Sequence, residues 1–350
     1  MIDFRYHLVS IVAVFLALAI GIVLGSTELQ GPTLDTLRSL NNSLNNELHA
    51  ASSQRDSYKT LVGDNASFLQ TAQAKLVSDL LTGERVVMIT EPGAPSGVIS
   101  GVTQAVTSAG ATVTGTVALQ SKFNDLSGGN QSLLYQINAQ EASANGDTFT
   151  SPASSQTEYQ QQAAQLIAGA ILETAAGASL LTTANAQTLL AAYSQGGYLT
   201  VTGSPANDSA RATLAVVITP DSAPTDQNDP ANQVLLAVAP EFADQSVATV
   251  VAGSAAGSSP ATSAISVLRG SNVASQVSTV DNADTTMGQV SAVWALGDQL
   301  SGGKPNSYGI SGASAVSPPV PSTVPSATPT PTGTPSSKAT GKVKKTVNTN

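Results

Sequence analysis

Residues 84–119, ERVVMITEPGAPSGVISGVTQAVTSAGATVTGTVAL, set out a strand, a helix and a second strand in turn. Arg85 to Thr90 is a continuous apolar run of strand length, and Pro92-Gly93 breaks it. Val98 to Ala109 then reads as a helix, and Ala111 to Leu119 as a second strand. Strands alternating with helices imply crossover connections between parallel neighbours. The alternation continues downstream, with strand-length runs at 197–202, 213–219, 246–252 and 276–280. Helical stretches lie at 158–175, 184–194, 230–242 and 285–300. Strands that are apolar along their whole length fit a sheet covered on both faces. The expected fold class is therefore α/β, with one Rossmann-like domain over 84–305 built on a largely parallel sheet. The stretch 122–157, rich in Gly, Asn, Ser and Gln, reads as a long excursion or small insertion.

Upstream, an uncharged run from Leu8 to Ser26 follows Arg5 and His7, and the next charged residues are Glu28 and Asp35. A run of that length is enough to cross a bilayer core as one helix. A basic residue ahead of the span and acids behind it keep the N-terminus in the cytoplasm. The expected organisation is a cytoplasmic segment 1–7, a transmembrane signal-anchor 8–26, and a main domain outside the cytoplasm of a single-pass cell-membrane protein. A cleaved secretory signal shares the basic start and apolar core. Two features favour the anchor: the run is longer than a typical signal core, and Val23-Leu24-Gly25 is a poor cleavage site.

Between the anchor and the domain, residues 33–81 contain no proline and one glycine, Gly63. Leu37, Asn41, Leu44, Leu48, Ala51, Arg55, Tyr58, Val62, Asn65, Leu69, Ala72 and Leu76 recur at alternating spacings of four and three. That is the seam of a two-stranded coiled coil. The stripe is narrow and the other faces are Asn, Ser, Gln and Asp, which suits a paired helix better than one lying on its own domain. A parallel homodimeric stalk is expected, with a helix of a membrane or envelope partner protein as the alternative. Asn41 and Asn65 in the seam cost stability and fix register.

Composition narrows the function classes. The 350 residues include no cysteine, and the formal net charge is -9. Disulfides, thiolate metal sites and thiol nucleophiles are thereby excluded together. The acidic balance argues against nucleic acid, which requires clustered Lys and Arg. With six Phe, seven Tyr and one Trp, the core must be Ala, Val, Leu and Ile. Residues 311–350 are dominated by Ser, Pro and Thr and end in Lys338, Lys342, Lys344 and Lys345, the composition of a disordered tail.

Chemistry-bearing motifs are sparse. The first strand–helix turn, Thr90-Glu91-Pro92-Gly93-Ala94-Pro95-Ser96-Gly97, lacks both GxGxxG and the Walker pattern, and its prolines remove amide donors that a phosphate would need. Gly253-Ser254-Ala255-Ala256-Gly257 puts alanine where a nucleophile elbow needs serine. The best acidic group is Asp281 with Asp284, leaving one strand and entering the last helix. Two carboxylates there are weak candidates for a hard cation; against this, Asp284 or Thr285 fits a helix N-cap. Possible copper ligands, Met1, Met88, Met287, His7 and His49, do not cluster in sequence. A transmembrane barrel lacks its many alternating segments. No enzyme, catalytic residue or bound cofactor is expected.

The opening FRYHLVSIVAVFLALAIGIVLGS, the heptad stretch after it and the late segment Val277-Ser278-Thr279-Val280-Asp281-Asn282-Ala283-Asp284-Thr285-Thr286-Met287-Gly288-Gln289-Val290 together resemble the actinobacterial MctB family. The resemblance covers residues 1 to about 305. The family pattern carries proline and arginine near Thr286 and Gln289, where this chain departs from it. The resemblance implies a copper transporter or a role in copper homeostasis, with copper as the transported ion. SteB-type members imply the alternative of a non-enzymatic, dimeric envelope scaffold acting with a cell-division or wall-remodelling partner. No metal-ligand motif of the family maps onto residues here.

Overall fold

One helix, α1, runs from Phe4 to Val77 in the computed structural model, which describes residues 4–146, 153–174, 181–258 and 260–321, and only the backbone over 26–33. The chain divides into two compact units, Met1–Thr71 and Ala72–Asn350. In the first unit, the apolar section Phe4–Gly25 is 22 residues long, sufficient for a membrane span by length and composition. Farther along the same helix, Leu37, Asn41, Leu44, Leu48, Tyr58 and Val62 are all exposed. The helix stops at Val77 instead of continuing to 81. Asp79 adopts φ 62°, a left-handed conformation that a short polar side chain tolerates, and Leu80 and Leu81 turn into the core of the second unit.

That unit is a mixed α/β fold. Strand β1 (Arg85–Thr90) is followed by α2 (Ser96–Ser108) and β2 (Thr112–Leu119), the strand–helix–strand order expected from the sequence. Three helices come next: α3 (Ser121–Asn124), α4 (Asn130–Ala144) and α5 (Gln156–Ile171). A fourth, α6 (Thr183–Gln195), leads to β3 (Leu199–Gly203). The chain then forms β4 (Leu214–Ile218), α7 (Pro230–Gln245) and β5 (Ala248–Ala252). Two short helices, α8 (Ala255–Ser258) and α9 (Ala264–Arg269), precede β6 (Ser278–Val280). The last long helix, α10 (Thr286–Leu300), returns the chain to β7 (Ser307–Tyr308).

The strand order is β3-β2-β1-β4-β5-β6-β7. Every neighbouring pair is parallel except β2 and β3. Residues of β4 and β5 are buried at every position, because helices cover both faces of the sheet. Val87, Ile89, Val217 and Val251 face one layer, built mainly from α4 to α7 and α9. Val86, Met88, Val216 and Val250 face the other, where Val98, Val102 and Val106 of α2 meet Val290, Val293 and Leu296 of α10. This period-two split along each strand is what allows both layers to be apolar.

Three differences from the sequence reading have physical causes. The excursion expected over 122–157 contains α4, which buries Leu134, Asn138, Glu141 and Ala142 on one stripe. Its polar members disguise that stripe. Asn138 is accommodated because its carboxamide oxygen accepts from Tyr193 Oη at 2.7 Å and its nitrogen donates to the Tyr159 carbonyl at 2.9 Å. The edge strand β3 is antiparallel to β2, and Gly115 permits the close approach: a Cβ there would lie 2.9 Å from Pro205 Cδ. Ordered structure also continues beyond 305 and past the start of the expected tail at 311: Tyr308 is buried in β7 and bridges to Ala315. The remainder of that tail, from residue 322, lies outside the described residues, as do Met1 and residues 147–152.

Candidate functional site

In a parallel sheet the carboxyl ends of the strands share one edge. Here the chain steps outward from β1 to β2 and β3, then returns to the other side of β1 with β4. Ligands of open α/β sheets collect at the carboxyl edge where strand order reverses. Two carboxyl groups stand one residue beyond strands on this edge, Glu91 after β1 and Asp281 after β6.

Asp281, the sequence candidate, is fully buried and fully partnered. Its Oδ2 pairs with Arg269 Nη1 at 2.7 Å and accepts from the Ser311 amide at 2.9 Å. Oδ1 accepts from the Ile310 amide at 2.7 Å. Arg269 in turn donates to Thr279 Oγ1 and to the carbonyls of Tyr308 and Ser311. Gly309 makes room for this arrangement, since a Cβ there would collide with the Asp281 carboxylate. The constellation fastens the 307–312 segment to the end of the sheet. Asp284 is not beside it in function: its Oδ1 accepts from the Ala255 amide at 2.9 Å, at the start of α8. Thr285 is the N-cap of α10, accepting from the Gly288 amide at 3.1 Å. Both acidic residues therefore satisfy backbone donors.

Glu91 is the opposite case. It is 4% exposed, and neither carboxyl oxygen has a hydrogen-bond partner among the described residues. Burial without compensation pushes its pKa up to about 8. Glu91 forms part of the wall of a pocket of about 290 Å³ that also takes in Thr90, the Pro92–Ala94 turn and residues 118–121. The turn is held by main-chain bonds: the Glu91 amide donates to the Ile218 carbonyl at 3.0 Å, and the Ala94 amide donates to the Glu91 carbonyl at 3.1 Å. Ser254, in the sequence that misses the nucleophile elbow, donates to Asp221 and accepts from the Gly257 amide, a turn-forming role.

The potential soft and imidazole ligands are dispersed. Met88 is buried in β1, Met287 lies in the first turn of α10, and His7 and His49 are exposed on α1. Among the described residues, no group of three or more His, Cys, Asp or Glu side chains converges on one point. Seam residues Leu69 and Leu76, at the far end of the heptad series, are less exposed than those before them. The Leu76 carbonyl accepts from Trp294 Nε1 at 2.9 Å. Two residues escaped the sequence reading. Arg269 ends α9 with nothing in its neighbourhood to mark it, whereas Glu91 had a legible signal, a lone acid directly after an apolar strand.

Comparison with known proteins gives one family. The model described as "Copper transport outer membrane protein, MctB" matches residues 1–318. A Mycobacterium tuberculosis protein named "Copper transporter MctB" is 31% identical over 319 residues, covering 91% of this chain and 98% of that protein. The Mycobacterium bovis protein of the same name gives the same figures. The Mycobacterium leprae protein, also so named, is 32% identical over 324 residues, 91% of this chain and 100% of its own length.

Proposed function

The chain belongs to the MctB family, and from that membership we propose that it acts in copper transport or copper homeostasis at the cell envelope. The observation that carries this reading is the extent of the match. It takes in the apolar helix, the exposed stretch of α1 and the whole sheet in one span, so it concerns the complete architecture and not one shared module. Copper is cargo in this reading, not a resident cofactor, and the protein is non-enzymatic. Support for a membrane location comes from the family description together with the apolar section of α1. Arg5 ahead of that section and acids behind it favour a cytoplasmic N-terminus and an extracytoplasmic α/β domain. The strand order around β1 and helices on both faces support a Rossmann-like description of that domain.

The test is cell-associated copper in a deletion strain under copper load, with the full-length chain and a chain lacking residues 1–26 reintroduced. Copper accumulation reversed only by the full-length chain is expected. Copper content unchanged by the deletion would remove the transport reading.

A second reading has its own observation. Leu44 at 63% and Leu48 at 67% exposure continue an apolar stripe of heptad spacing on α1 that lies open to solvent. Such a stripe is covered most simply by a second copy, in a parallel homodimer held in register at the membrane. The protein then serves as a dimeric envelope scaffold for a division or wall-remodelling partner. Leu44→Asp with Leu48→Asp should abolish dimer sedimentation of the detergent-solubilised chain. A dimer that survives both substitutions would discard this seam.

A further inference from the structure

Glu91 is held in a place that suits only one of its two charge states. Both carboxyl oxygens are enclosed and without a hydrogen-bond partner among the described residues, an environment for a neutral acid. Burial alone displaces its ionisation, and no charged side chain of a neighbouring element acts on it. On the loop after β4, the Asp221 carboxylate receives Ser254. Beyond β2, Lys122 donates to the Gly196 carbonyl at 2.7 Å and stands 4.8 Å over the Tyr198 ring. The pocket of about 290 Å³ that Glu91 borders offers the converse environment. Thr90, Gly93 and Ser121 line it, and the Gly93 amide and the two hydroxyls make no hydrogen bond among the described residues. Gly93 and Ser121 are exposed. Donors without acceptors thus stand beside acceptors without donors, with the carboxyl closed off from the pocket.

We propose that Glu91 is a proton-operated switch at the β1–α2 turn: protonated, its side chain stays enclosed, and ionised, it turns out into the adjoining pocket to accept from Ser121 and Gly93. An enclosed carboxylate with neither donor nor water is the costliest of its arrangements, so ionisation drives the group toward both. The backbone need not follow. The Glu91 amide is bonded to the Ile218 carbonyl at 3.0 Å, and the Asp221 amide to the Gly93 carbonyl at 3.2 Å. Pro92 and Pro95 have fixed φ, which leaves the movement to the rotatable bonds of the Glu91 side chain. The pocket is therefore free of this side chain at low pH and occupied by its carboxylate as pH rises toward and past about 8. The switch stands independently of the copper reading.

The experiment follows the Glu91 carboxyl by carbon NMR in the full-length chain, labelled at glutamate side chains and held in lipid nanodiscs. Glu91→Gln assigns the signal. Titration is run on the parent chain and on Ser121→Ala, which removes a donor from the pocket and nothing from the enclosed position. Loss of one hydrogen bond to the charged form should raise the midpoint by about one pH unit. A neutral, water-soluble gadolinium chelate supplies the second readout, and it should broaden the Glu91 signal above the midpoint and leave it sharp below. A carboxylate still protected from the chelate above its midpoint would overturn the switch. So would a midpoint equal in the parent and Ser121→Ala, or one in the ordinary carboxylate range.

Discussion

Asp281 and Glu91 occupy equivalent places, each one residue past the end of a parallel strand and each closed off from water, yet they differ in every other respect. Asp281 receives a guanidinium and two amides and so anchors the chain beyond β7. Glu91 receives no hydrogen bond among the described residues. Position on the carboxyl edge therefore does not define a site. What separates structural carboxylates from available ones is whether the fold has already supplied their partners.

Removing the Asp281 partnership should have the largest effect. Asp281→Ala leaves Arg269 buried without its counter-charge and releases two amides, and should cost about 3–5 kcal/mol in denaturant unfolding. A loss below 1 kcal/mol would mean that the pair fastens nothing. Glu91→Gln should have a smaller effect, and one that depends on pH. The folded pKa lies above the unfolded one, so the folded chain binds the extra proton between about 4.5 and about 8. Stability of the unmodified chain therefore falls as pH rises through that window, by about 1.4 kcal/mol per unit at most. Relative to Glu91→Gln it should lose about 2 kcal/mol between pH 5 and 7, and parallel curves would place the carboxyl in a solvated or partnered setting.

Asn138→Ala probes the same rule in the helical layer, where a buried amide is fully used. Removing it strands Tyr193 Oη and the Tyr159 carbonyl, and should lower stability by about 1–3 kcal/mol, measured by thermal unfolding. Asp284→Ala is the mildest test. It withdraws one acceptor from the start of α8 and should cost about 0.5–1 kcal/mol, with copper-dependent phenotypes unchanged. A specific loss of copper handling in this variant would restore Asp284 as a functional group.

Much of the architecture is legible in the sequence. The runs Arg85–Thr90 and Thr213–Thr219 announced central strands because buried parallel strands need apolar side chains on both faces. The apolar length at the N-terminus and the heptad spacing after it were equally local properties. α4 was hidden because its buried stripe includes Asn138 and Glu141, residues that look solvent-facing until Tyr193 and Tyr159 arrive from other helices. The antiparallel direction of β3 and the addition of β7 left no periodic mark, as both depend on where the chain returns and not on composition.

For the candidate site, the sequence by itself located the two relevant turns, since each follows an apolar strand, and it excluded thiolate chemistry through the absence of cysteine. Which acid is occupied depends on contacts between distant segments. The partners of Asp281 come from Arg269, twelve residues before it, and from the Ser311 amide, thirty residues after it. Glu91 is buried with no hydrogen-bond partner for either carboxyl oxygen among the described residues. Strand and helix formation follows from side chains close together along the chain, whereas the satisfaction of a buried charge depends on groups that meet only once the sheet and its two helical layers have closed.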